Sequence, residues 1–438
     1  MKRTLLSFLI ILCTALAVQA QPAPVYTLKS CLEQGLLNNY SLRITRNEQQ
    51  VSKNNATLAN AGYLPTLDLS AGYKGTLDNT ETKLRATGET TKENGVFDQT
   101  VDAGINLSWT IFDGFNITAN YQKLKELERQ GETNTRIAIE DLIANIAAEY
   151  YNYVQHTIRL KNFRYAVSLS KERLRIVEER YHIGNFSRLD YQQAKVDFNA
   201  DSAQYMKQQE LLHTSRIQLN ELMASEDVDR PFIVEDSLIN VSAKLNFDEL
   251  WNATLQANAA LLKAEQNNTL ARLDYKKASS RDYPYVKMNG GYGYTLNKYD
   301  ISANSRRSNL GLNFGVTVGF NLFDGNRRRE LRNARIAARL EREQLEQALR
   351  ADLSNLWQAY QNNLQMLKLE RQNLVAAKEN HEIAMERYML GNLSGIEMRE
   401  AQKSLLDAEE RILSAEYDTK LCEISLLQIS GRVEQYLK

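Results

Sequence analysis

The stretch of sequence closest to a catalytic motif is His381-Glu382-Ile383-Ala384-Met385. A zinc-peptidase helix needs a second histidine four residues after the first, so that both imidazoles meet one metal from one helical face. Met385 stands in that place, and the zinc pattern fails. The four histidines of the chain are scattered. None has the spacing with cysteine or carboxylates that a metal centre uses. Gly290-Gly291-Tyr292-Gly293 lacks the following helix and lysine of a phosphate-binding loop, so it reads as strand glycine. No catalytic constellation remains. The sequence predicts a protein that is no enzyme and holds no metal or cofactor.

The elements that position these residues are more informative. Lys2 and Arg3, the apolar run Leu5 to Val18, and Val18-Gln19-Ala20 form a signal peptide over residues 1–20, with Gln21 as the mature start. Cys13 has no lipobox before it, so no N-terminal lipid is expected. Export leaves Cys31 and Cys422 in an oxidising compartment, either as a disulfide or as two small buried hydrophobes. Lys plus Arg and Asp plus Glu both number 54, and no basic face invites nucleic acid. Past the signal, no apolar stretch nears the ~20 residues of a membrane-spanning helix. Entry into a membrane would therefore require a β-barrel.

The chain is written twice. Asn39, Leu42, Pro65 and Tyr73 recur at one spacing as Asn258, Leu261, Pro284 and Tyr292. Phe112-Asp113-Gly114 recurs as Phe323-Asp324-Gly325, and Arg180-Tyr181 with Gly184-Asn185 as Arg387-Tyr388 with Gly391-Asn392. Residues 21–224 and 247–438 thus form two repeats around a small element, 225–246, with the short β-like run Phe232-Ile233-Val234. Each repeat reads helix, strand, loop, strand, long helix, tight turn, helix.

Strands are expected at 64–76, 101–112, 285–296 and 309–323, where apolar residues alternate with Gly, Asn, Ser, Thr and Asp. Twelve such residues at ~3.3 Å each, tilted by ~45°, match a bilayer's hydrocarbon. A soluble sandwich would show the same alternation. The small polar faces, and Tyr63, Tyr73, Trp109, Phe112, Tyr283 and Phe323 near strand ends, favour a barrel with an aromatic girdle. Leu77 to Thr100 and Asn297 to Ser308 read as polar loops at the outer surface. Helices are expected from about Gly114 to Tyr181 and from Gly325 to Tyr388, capped by Asp113 and Asp324. Sixty or more residues at ~1.5 Å each give ~95 Å of helix. Leu349, Leu353, Leu356, Tyr360, Leu364 and Leu367 carry coiled-coil spacing. Gly184 and Gly391 stop these helices, and return helices follow at about Leu189 to Met223 and Ile396 to Ser430. Four strands cannot close a barrel, since small barrels need about eight. Lipid does not tolerate the two open edges.

The duplicated order of Leu64-Pro65-Thr66-Leu67, Phe-Asp-Gly and Arg-Tyr-x-x-Gly-Asn resembles the TolC-like outer-membrane efflux proteins over essentially the whole mature chain. The resemblance implies an α+β fold with internal duplication, in which a homotrimer builds a twelve-stranded outer-membrane barrel continuous with a periplasmic helical coiled-coil barrel. It also implies a periplasmic adaptor and an inner-membrane transporter of RND or ABC type as partners, beside outer-membrane lipid. The hairpin tips, with Gly184, Asn185, Gly391 and Asn392, would face the adaptor. Glu397, Glu400 and Asp190 match the family's gate carboxylates, and Tyr388 its latch tyrosine. Leu393 stands where the family's latch has an arginine. Glu397 and Glu400, three apart, share a helix face, and threefold symmetry would make them a cation-attracting ring. Two other functions fit parts of the pattern: a stand-alone porin, which leaves the coiled coil without a purpose, and a structural periplasmic coiled coil, which ignores the strands.

Overall fold

The structure is a computed structural model that describes residues 24–184, 186–242, 244–298, 306–320 and 325–437. The expected signal peptide, Asn185, Phe323 and Asp324 lie outside the described residues. In chain order the elements are β1 (Val25–Tyr26), α1 (Leu28–Asn38), α2 (Tyr40–Asn55), α3 (Leu58–Ala61), β2 (Thr66–Lys83) and β3 (Thr90–Asp113). Then come α4 (Asn116–His182), α5 (Arg188–Leu222), β4 (Ile233–Val234), α6 (Phe247–Ala257) and α7 (Ala259–Ser279). The chain ends with β5 (Tyr285–Lys298), β6 (Arg306–Gly319), α8 (Gly325–Met389) and α9 (Gly395–Ile429). They fall into two compact units.

One unit, Arg46–Asn134 with Ala260–Glu346, contains an antiparallel sheet in the order β2-β3-β5-β6. Alternation holds through the ladder. Leu69, Ile105, Tyr292 and Leu312 form one cross-strand row, and Ser70, Gly104, Gly293 and Gly311 form another. On the polar face the Asn106 amide donates to Ser70 at 3.1 Å, and the Ser108 hydroxyl donates to Asn289 at 3.2 Å. The apolar face is bare: Leu69 is 84 % exposed, Leu312 80 % and Phe314 70 %. A sandwich would bury these side chains, each worth about 1.5–3 kcal/mol once out of water. Fourteen residues of β5 or β6, at ~3.3 Å each and tilted ~45°, reach about the ~30 Å of a hydrocarbon layer.

Two expectations are corrected here. The predicted loop Leu77 to Thr100 is mostly paired strand, because β2 runs on to Lys83 and β3 starts at Thr90, with Thr82 opposite Thr91. This ribbon has no apolar face for an alternation to mark. Its backbone ladder suffices to pair it, and Tyr73 consequently lies within β2 rather than at its end. The second predicted loop is shortened similarly by Lys298 and Arg306, which pair; residues 299–305 lie outside the described set.

The other unit comprises residues up to Thr45, Thr135–Ala259, and Gln347 onward. The first helix of each repeat is broken at an asparagine. Asn39 donates its side-chain amide to the Leu222 carbonyl at 3.0 Å, and Asn258 does the same to Ile429 at 2.9 Å. Each ties the helix break to the end of its return helix, which explains why both copies keep asparagine. Around α1 packs a core of Leu32, Ile143, Ile146, Tyr150, Leu219 and Met223. Around α6 packs a second core of Leu250, Leu353, Tyr360 and Leu426, three of them on the predicted coiled-coil helices α8 and α9. The element between the repeats is strapped to both cores. Phe232 packs on Tyr153, Ile233 and Val234 pair in parallel with Val25 and Tyr26, Tyr150 donates to Asp236 at 2.8 Å, and Tyr360 donates to the Ser242 carbonyl. Cys31 and Cys422 are both free, Cys31 within the α1 core and Cys422 packed against the α6 core. Burial pushes the Cys31 thiol up to about 12, far from a reactive thiolate.

Candidate functional site: the hairpin tips and the strand-helix junction

In the sheet-bearing unit, the chain leaves β3 for α4 through Asp113, Gly114 and Phe115. A bulge after Thr110 lets Phe112 pair with Val286 and Asp113 with Tyr285. The expected N-cap is displaced by this geometry. Asp113 stays in the ladder, two left-handed residues follow (Gly114 at φ 65°, Phe115 at φ 73°), and α4 starts at Asn116. The carboxylate nevertheless accepts from the Ile117 N–H at 3.0 Å. Only glycine fits at Gly114, since any Cβ there would run into the Ser280 carbonyl and come within 2.8 Å of Tyr283. Phe115 is held in a conformation that a bulky residue rarely adopts, its ring edge-on to Phe112 at 5.4 Å and to Tyr283 at 6.1 Å. Nearby in the same unit the Trp109 indole donates to the Tyr63 carbonyl at 3.0 Å, and the Tyr63 ring meets Tyr121 edge-on at 6.0 Å. In the second repeat α8 begins at Gly325.

In the helical unit both tips share one chassis. Gly184 (φ 81°) and Gly391 (φ 79°) take the left-handed conformation that ends α4 and α8. At the second tip the Asn392 N–H reaches the Arg387 carbonyl at 2.8 Å and the Gly391 N–H reaches Tyr388 at 3.1 Å, a Schellman closure. Ser187 and Ser394 then cap the return helices. The partners that complete these capping boxes are Asp190 and Glu397, two of the predicted gate residues. Asp190 accepts from the Ser187 N–H at 3.1 Å and hydroxyl at 2.7 Å; Glu397 accepts from the Ser394 N–H at 3.0 Å and hydroxyl at 2.8 Å. The Ser394 N–H, followed by its hydroxyl, holds the Glu397 carboxyl below the ordinary glutamate range. Both carboxylates are exposed, as is Glu400, which makes no hydrogen bond or ion pair among the described residues.

The interiors of the tips differ. In the first, Tyr181 stacks on Tyr191 at 5.6 Å, and Tyr191 donates to Glu178 at 3.1 Å. Arg173 and Asp197 form an ion pair with side chains 7 % and 13 % exposed. In the second, Tyr388 is 2 % exposed within a cluster of Ala384, Met398 and Ala401, against which Leu393 packs. Its hydroxyl has no hydrogen-bond partner among the described residues. Burial pushes this phenol above the ordinary tyrosine range, with Arg173 and Arg180 pulling it back. Asp201 on α5 and Arg399 on α9 join the two hairpins through bonds of 2.7 and 2.6 Å. Sequence reasoning missed these pairs; their residues look like any surface charge until the burial is known.

A duplicated strand-strand-hairpin chain, with a bare apolar sheet and long helical hairpins closed by capped glycine turns, defines a class: a channel subunit for the outer membrane. The sequence pattern of the family described as outer membrane efflux protein matches residues 31–225 and 250–432, and the chain belongs to that family. It is an outer-membrane channel component of efflux systems. The outer membrane protein TolC of Vibrio cholerae is 22 % identical over 86 % of this chain and 84 % of its own length. A membrane protein of Pseudomonas aeruginosa superposes with a TM-score of 0.75 at 18 % identity, covering 93 % of this chain and 91 % of that one. The CmeC outer membrane channel of Campylobacter jejuni superposes with a TM-score of 0.72 at 18 % identity, covering 92 % and 85 %.

Proposed function

We propose that three copies pool their sheets into a twelve-stranded barrel, making a passive duct from periplasm to exterior that is gated at the hairpin tips. The observation that carries this reading is the apolar sheet face, open to its surroundings in every strand while β2 and β6 each keep an unpaired edge. Lipid covers such a face, and only a neighbouring strand satisfies such an edge. The family works with periplasmic adaptors and inner-membrane transporters. In this protein the loop residues Gly184, Asn185, Gly391 and Asn392 are proposed to meet the adaptor, with an RND or ABC transporter behind it.

For the gate we assign Glu397 and Glu400 to the constriction and Tyr388 and Asp190 to the closed-state contact between hairpins. Glu400 supports the assignment best, because it is exposed and leaves its charge uncompensated on the chain itself. Glu397 and Asp190 serve as caps as well, so their substitution alone would mix two effects. The combined Glu397→Gln and Glu400→Gln variant keeps hydrogen-bonding capacity and removes charge. In planar bilayers it should lose most of the cation preference while the mass of the detergent-extracted trimer stays the same. Unchanged ion selectivity would reject the gate; a monomer that is soluble without detergent would reject the duct.

A further inference from the structure

Met385, the residue that breaks the zinc-peptidase pattern, lies one turn from His381 on the same face of α8, and Met389 follows a turn later. All three line one open groove of about 920 Å³ within the helical unit. His381 is 7 % exposed, and its Nε2 has no hydrogen-bond partner among the described residues. Met389 is 56 % exposed and fills no core. Glu382, Glu386 and Glu409 border the same groove, against the single base Lys378. The local charge therefore favours a cation.

We propose that His381 and Met385, with Met389 as an additional thioether on the next turn, form a binding site for a soft monovalent cation, Cu(I) or Ag(I). An i, i+4 pair brings its Cβ atoms to about 5–6 Å, close enough for an imidazole and a thioether to share one ion. Thioethers select Cu(I)-like metals over Zn²⁺ or Mg²⁺. The pattern that fails for zinc thus succeeds for a softer metal. The site does not depend on the gate assignment, because none of its donors is a gate residue.

The test is calorimetric titration of Ag⁺ into the full-length assembled protein in detergent, carrying Cys31→Ala and Cys422→Ala so that neither thiol competes. The parent should bind Ag⁺ saturably at about one ion per chain and show no saturable Zn²⁺ binding. Met385→Leu, which keeps volume and loses the sulfur, should weaken Ag⁺ at least tenfold. Met385→Leu with Met389→Leu should abolish saturable binding. Unchanged assembly mass checks that each variant is folded. Wild-type affinity in either variant, absence of Ag⁺ binding in the parent, or equal affinity for Zn²⁺ would overturn the site, and none of these results would bear on ion selectivity at the gate.

Discussion

The two hairpin tips descend from one design and have been finished differently. Each has a left-handed glycine, a serine cap and a carboxylate closing the capping box. The first tip pairs its polar side chains internally, Tyr191 with Glu178 and Arg173 with Asp197, although the Arg173 Nε finds no hydrogen-bond partner among the described residues. The second buries Tyr388 and leaves its hydroxyl without a partner. Buried polar groups are nearly always bonded, so a tip whose charges and phenol are paired stands beside one whose buried phenol is not. The difference teaches that the first hairpin is built to hold its shape, and the second to complete its bonding with something outside its own cluster.

The largest effect that tests this contrast comes from the first tip. Asp197→Ala leaves the Arg173 guanidinium buried without its partner and should destabilise the hairpin by about 3–5 kcal/mol, read as faster amide exchange over residues 170–200. A loss no larger than that of an ordinary surface ion pair, below ~1 kcal/mol, would erase the asymmetry. The shared chassis predicts equality next. Ser187→Ala and Ser394→Ala should each cost about 1 kcal/mol through the lost cap, measured by exchange at the first turns of α5 and α9. Unequal costs would show that the caps, too, have diverged.

Tyrosine-to-phenylalanine changes sharpen the comparison further. Tyr191→Phe loses the hydrogen bond to Glu178 and should speed amide exchange at the start of α5 slightly. Tyr388→Phe removes an orphan hydroxyl and should leave the isolated hairpin unchanged or up to ~1 kcal/mol more stable. If Tyr388→Phe instead raises open-channel conductance, the hydroxyl finds its partner in the closed assembly. The smallest effect concerns pH. The folded state holds the Glu397 carboxyl below its ordinary value near 4.5, so its contribution to the cap is complete above that value and fades as pH falls through the lowered one. Exchange protection at the start of α9 should therefore survive mild acid, and in Glu397→Gln it should show no such acid step.

Much of this was readable from residue order, for identifiable reasons. Period-two alternation marks a strand only where one face is greasy, so the lipid-spanning parts of β2, β3, β5 and β6 were legible and the polar ribbon past Leu77 was not. Glycine advertises a left-handed position, and Gly184 and Gly391 occupy the expected turns. Phe115 adopts the same region without any such marker, displacing the cap expected of Asp113. Asp190 and Glu397, proposed above for the gate, close capping boxes that the Ser-x-x-acid spacing already spells. Asp201 and Arg399 could not be paired in advance, because they lie on different hairpins and only packing brings them together.

The β2–β3 ribbon beyond the apolar band has a consequence of its own. It stands on main-chain pairing, one exposed ion pair, Lys92 with Glu81, and the Asn79 side chain accepting from the Gly95 N–H at 2.9 Å, with Val96 its one buried side chain. Drift in its lettering is therefore nearly free, provided that Gly88 and Gly95 can keep their left-handed conformations. Such a stalk can change its appearance from strain to strain, or carry a grafted peptide, while the conduit beneath keeps its register.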